Sequence, residues 1–113
     1  MELVDFLRAR LDEDAARQRD PFAQWHHKDC ESLPDGDYPT FACTCGVPAR
    51  ILVEVEVKRM LLDSIIPTMN DFEDKIDEEW GTGGGEHASA AFFRAWARVY
   101  RDHPDFDPAW LED

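Results

Sequence analysis

The stretch Pro48-Ala49-Arg50-Ile51-Leu52-Val53-Glu54-Val55-Glu56-Val57-Lys58-Arg59-Met60-Leu61-Leu62 decides the fold class, because it reads in two ways. Ile51, Val53, Val55 and Val57 alternate with other residues as in a half-buried strand, and their β-branching favours a sheet. Ile51, Leu52, Val55, Leu62 and Ile66 also fall on one stripe at helical spacing. Lys58 to Leu62 continues the run with good helix formers, and Pro48 suits a first helical turn. A helix over residues 48–64 is therefore expected.

Upstream, residues 2–18 read as an amphipathic helix with Leu3, Phe6, Leu7, Leu11 and Ala15 on its apolar stripe. Arg8, Arg10, Asp12, Glu13 and Arg17 fall mostly off it, and Asp20-Pro21 marks its end. Downstream, Pro67 should stop or kink the middle helix. Thr68 or Asn70 would then cap a further piece running to Trp80. On that piece Met69, Phe72, Ile76 and Trp80 share one face. Gly81 to Gly85 read as a linker. A last helix is expected over residues 86–102, burying Ala88, Ala91, Phe92, Ala95, Trp96 and Val99. Asp107 and Pro108 then suit a short terminal turn, with the aromatic tail packed back over the helices. The fold class is mostly α: one small domain over residues 1–113, with three to four helices and an irregular loop between the first and second.

That loop, residues 19–47, is long for a domain of 113 residues unless something fixes it. It holds all three cysteines and two of the four histidines. His26 or His27 with Cys30, Cys43 and Cys45 supplies the four N and S ligands that a structural zinc site takes. A helical turn from Trp25 to Cys30 would place His26 and Cys30 on one face. One residue between Cys43 and Cys45 is fewer than zinc pairs usually have, and Gly46 would relax the turn. Zinc pinning this loop is the expected cofactor role. A filled set of four ligands leaves no position for a reacting water, so catalysis is not expected.

Charge narrows the partners. With 12 Lys+Arg against 25 Asp+Glu, the net charge of −13 opposes binding to nucleic acid and to anionic membranes. The expected partner is a protein with a basic or apolar surface. Asp71, Glu73, Asp74, Asp77 and Glu78 form the acidic face suspected of contact, and Trp110 is a candidate apolar anchor. The acidic run would alternatively imitate a phosphate backbone and block a nucleic-acid-binding protein. The stripe on the middle helix fits a dimer contact as well as a core. Glu2 and Asp5 are out of place in a secretory signal and no apolar run is long enough to span a membrane, so a cytoplasmic location is expected. Gly81 to Gly85 lacks the Lys-Ser/Thr ending of a phosphate loop. His87 and His103 read as surface or capping residues.

Three stretches resemble a family of small uncharacterised actinobacterial and actinophage proteins: LVDFLRARLDED at residues 3–14, PARILVEVEVKR at 48–59 and YRDHPDFDPAW at 100–110. The resemblance implies a helix rather than a strand over Ile51 to Val57. It also implies a phage or mobile-element context, in which small acidic proteins bind and modulate host proteins. It carries no activity.

Overall fold

The computed structural model describes residues 2–26, Cys30 and residues 45–111. His27, Cys43 and the turn expected at Pro34-Asp35-Gly36 lie outside the described residues. Among the described residues every regular element is helical. Helix α1 spans Leu3–Arg19 and α2 spans Val47–Met60. A π-helical turn, Leu61–Ile65, leads without a break into α3, Ile66–Trp80. Helix α4 spans Ser89–Ala97 and closes in a 3-10 turn, Arg98–Tyr100. A final 3-10 turn covers Pro108–Leu111. The ambiguous stretch is thus helix: Val55 is buried while Val53 and Val57 are exposed.

The chain groups into two compact units, one from Leu11 to Lys58 and the other combining residues up to Arg10 with those from Arg59 onward. In the Leu11–Lys58 unit, Leu11, Ala15 and Val55 are buried, with Ile51 and Leu52 half-buried. The other unit is built around Phe6, which is fully buried. Its ring meets Tyr100 at 6.1 Å, His103 at 5.8 Å, Phe106 at 6.0 Å and Trp110 at 4.9 Å. Edge and tilted approaches of this kind suit the quadrupoles of aromatic rings. The tail is held in place by its own turn: Asp107 Oδ1 accepts from the Ala109 N–H at 2.9 Å, the N-cap expected ahead of Pro108.

Arg10 departs from its expected place off the apolar stripe. It is buried, with 4% of its surface exposed. Its guanidinium lies 4.9 Å from the Phe6 ring centre and donates to His103 Nδ1 at 2.7 Å, with the Asp105 carboxylate at 3.7 Å. The Asp105 N–H donates to the same Nδ1 at 3.0 Å. Arg10 therefore ties α1 to the tail, with its charge matched where water is scarce.

Pro67 does not stop the middle helix. A proline ring collides with the carbonyl four residues back and offers it no N–H. The π turn ahead of Pro67 absorbs this conflict: the Ile66 N–H donates to Leu61 O, five residues back. Thr68 and Asn70 accordingly cap nothing. Thr68 Oγ1 donates to Ser64 O at 2.8 Å, four residues back, and Asn70 Oδ1 accepts from Ser89 Oγ at 2.8 Å, joining α3 to α4.

Helix α3 ends as its sequence dictates. Gly81 has φ 66°, a left-handed conformation that suits glycine, and its N–H and that of Thr82 both donate to Asp77 O.

The last helix is shorter than the expected 86–102, and its buried face is displaced by one residue. Phe93 and Ala97 are buried, whereas Phe92 and Val99 are exposed. The aromatic cluster is only partly a core. Phe93 and Phe106 are inside, Trp96, Tyr100 and Trp110 are half-buried, and Trp80 is 74% exposed.

Candidate metal centre

Two local devices fix the ends of the loop in the Leu11–Lys58 unit. After α1, Asp20 organises a turn: its Oδ1 accepts from the Phe22 N–H at 2.9 Å, and its carbonyl accepts from the Ala23 and Gln24 N–H groups. Gln18, buried at the end of α1, holds the chain after this turn. Its Oε1 accepts from the Trp25 N–H at 3.1 Å, and its carbonyl accepts from Gln24 Nε2 at 3.0 Å. The Arg17 guanidinium sits 5.2 Å from the centre of a Trp25 ring. His26 is the next residue along. At the other end, Gly46 takes φ 74° and its carbonyl accepts from the Arg50 N–H at 3.0 Å, opening α2. Cys45 is thereby set at the mouth of that helix.

His26, Cys30 and Cys45 converge. Their ligand atoms all lie within 4.8 Å of one another. Cys30 is buried, and His26 and Cys45 are half-buried. His26 Nδ1 lies 3.6 Å from Cys45 Sγ. Zinc bonds of about 2.3 Å to sulfur and about 2.0 Å to nitrogen, at a tetrahedral angle, put S and N about 3.5 Å apart. A thiol–imidazole hydrogen bond has a similar length. The approach of a second, buried sulfur is what a hydrogen bond would not require. Cys30 and Cys45 are thiols, not a disulfide. These three residues could hold a metal ion.

Of the helical turn expected from Trp25 to Cys30, residues 27–29 lie outside the described residues, while Trp25, His26 and Cys30 are outside any helix. Among the described residues, the Asp20 turn leads into His26 and the Gly46 turn follows Cys45. Asp20-Pro21 was legible as a boundary, while the buried Gln18 that anchors the returning chain carried no sequence signal.

The acidic residues of α3 form no comparable cluster among the described residues. Three of the five face the chain itself. Glu73 accepts from the Ala88 N–H at 3.3 Å, capping α4 from outside, since α4 has no side-chain cap of its own. Asp74 Oδ1 binds His87 Nε2 at 2.8 Å, and Asp77 Oδ1 accepts from Thr82 Oγ1 at 3.0 Å. Asp71 and Glu78 are exposed. The hydrogen bond from Asp74, reinforced by the charges of Asp74, Glu73 and Asp71, raises the His87 pKa above its ordinary value against a partial loss of hydration. Trp110 packs on Phe6 and on Phe106, the latter at 5.2 Å. No helix among the described residues is long and apolar enough to cross a membrane.

Comparison with known proteins places the chain in a family. Residues 1–112 match the model of the family of unknown function DUF6221, and the chain belongs to that family. No curated protein and no solved structure matches it significantly.

Proposed function

We propose that this protein is a protein-binding regulatory module whose irregular loop is held by one structural zinc ion. The observation that carries the reading is the convergence of His26, Cys30 and Cys45 within 4.8 Å. Two thiolates and an imidazole are a borderline-soft donor set suited to zinc rather than to calcium or magnesium. A fourth ligand completes a tetrahedron. Cys43, two residues from Cys45, is the first choice and His27 the second. A site closed in this way staples the chain and performs no reaction. It supplies stability that a chain of this size gains only modestly from its core.

The binding role rests on charge. A chain with net charge −13 attracts basic protein surfaces and repels nucleic acid. The resemblance of its opening, middle and closing stretches to actinobacterial and actinophage proteins supports a phage-borne origin and a host protein as target. Nucleic-acid mimicry is the weaker reading. The exposed apolar side chains of Met69, Phe72 and Ile76 lie beside the carboxylates, unlike anything on a phosphate backbone, and Glu73, Asp74 and Asp77 are engaged within the chain.

The test is zinc per chain in untagged protein purified without chelator, with a thiol titration alongside. One zinc and protected thiols are expected. Stripping the metal should lower the melting temperature by roughly 10 °C, equivalent to about 2.7 kcal/mol for a site held at a hundredfold its dissociation constant. No zinc and three reactive thiols would refute the reading.

A further inference from the structure

Helix α3 is amphipathic in the reverse sense. Its row Asn70, Glu73 and Asp77 is half-buried, and these polar residues make its contacts with Ser89, Ala88 and Thr82. Its apolar row, Met69, Phe72, Ile76 and Trp80, points outward together with Ile65 of the π turn ahead of it, with Met69 61% and Phe72 66% exposed. Polar bonds thus clamp the start of α4 to α3 and leave apolar walls open. A groove of about 380 Å³ runs between the two helices, with Ile66 and Met69 on one wall and Phe92 on the other. A second hollow of about 450 Å³, formed by Met69, Phe72 and Ile76, adjoins it and shares Met69 and Glu73. Exposed apolar surface that is continuous in this way marks a binding site.

The surrounding charge selects the occupant. Residues 61–80 carry seven acidic residues and one lysine. A second copy would bring identical acidic rows together, and an anionic membrane would be repelled in the same way. We infer that the groove of α3 and α4 receives a basic amphipathic helix from a partner protein. Its apolar residues at i, i+3 or i+4 and i+7 would seat on Met69, Phe72, Ile76 and Phe92, and its lysines or arginines would meet the acidic rim. The run from Ile65 to Ile76 is twelve residues, or about three helical turns, which sets the length of helix engaged. Methionine and phenylalanine together make an adaptable surface for such helices. The inference rests on the protein-binding part of the proposed function and not on the metal.

The probe is a fluorescein-labelled peptide of 18 residues with leucines at helical spacing and lysines elsewhere, titrated by anisotropy. Two controls accompany it: the same composition shuffled out of helical spacing, and a Lys/Ser peptide of equal charge. Binding that weakens with salt, and is at least tenfold tighter than for either control, is expected. The double variant Met69→Ser, Phe72→Ser should lose at least tenfold, while Val99→Ser, elsewhere on the surface, should bind as the parent does. All three positions are exposed, so helical circular dichroism should stay unchanged. Equal binding of the Lys/Ser peptide would overturn the groove and leave the acidic face as the binding surface. Binding of none of the peptides would overturn both. A dimer seen by sedimentation and dissolved by the same double variant would show a second copy as occupant and overturn the proposal. Zinc is measured on the same preparation. Zinc present with no peptide binding removes the binding surface and leaves the metal, and peptide binding without zinc removes the metal alone.

Discussion

Replacing Phe6 by alanine should destabilise the protein by about 4 kcal/mol. The side chain is fully buried and four aromatic rings surround it at 4.9 to 6.1 Å. Removing the ring returns roughly 150 Å² of apolar surface to the balance, or about 4 kcal/mol at ~25 cal/mol per Å². Truncations of buried phenylalanine generally cost about 3–5 kcal/mol. Set against a total stability of about 5–15 kcal/mol, the loss is large but need not unfold the chain. Urea titration followed by circular dichroism measures it, with the slope of the transition unchanged if only stability has moved. The ring contacts can be separated from simple burial by a double-mutant cycle with Trp110→Ala, for which a coupling of about 1 kcal/mol is expected. Phe6→Leu gives a milder variant if alanine leaves too little folded protein. A loss below about 1.5 kcal/mol for Phe6→Ala, or no coupling to Trp110, would refute the view that the tail is docked on this ring.

Two further outcomes follow from the α3–α4 region. Because the Asp74 bond raises the His87 pKa, the stabilisation it provides is fully present below the unfolded value near 6.5 and fades as pH rises through the higher folded value. An NMR titration should show His87 titrating above the ordinary value in the parent and returning toward it in Asp74→Asn; identical midpoints would break the assignment. Gly81→Ala should cost about 1 kcal/mol through backbone strain alone, since an added Cβ at φ 66° meets nothing within 4 Å. A stability change indistinguishable from zero on thermal melting would show that the α3 terminus relaxes into another conformation.

The sequence made α1 legible because its apolar residues leave one stripe, and the burial of Phe6 and Leu11 follows that spacing; α2 also offered a strand's alternation, and the good helix formers after Val57 pointed to the helix that buries Val55 and exposes Val53 and Val57. Helix α4 was harder. In Ser89-Ala90-Ala91-Phe92-Phe93-Arg94-Ala95-Trp96-Ala97, small and aromatic residues alternate so closely that two stripes fit. The one through Phe93 and Ala97 is the one that packs. Pro67 gave a strong stop signal that a wider turn cancelled, and a π turn has no sequence signature of its own. Arg10 was placed off the core because charged residues seldom lie inside. Its partners, His103 and Asp105, are more than ninety positions away and invisible to local pattern. The loop's wealth of cysteine and histidine pointed to a metal centre, and His26, Cys30 and Cys45 do converge. Gln18, which holds the chain just ahead of His26, belongs to no ligand pattern.

The π turn before Pro67 has a consequence for the direction in which the groove faces. Each residue advances a helix by about 100°, the angle that separates the row Asn70, Glu73, Asp77 from the row Met69, Phe72, Ile76. The length of the segment ahead of Pro67 therefore sets the rotation of α3 about its axis relative to the residues that precede the turn. The start of α4 is bonded to Asn70 and Glu73 of α3 and would turn with it. One residue added there would point the same groove in a different direction while spelling the same helix, with no contact residue substituted.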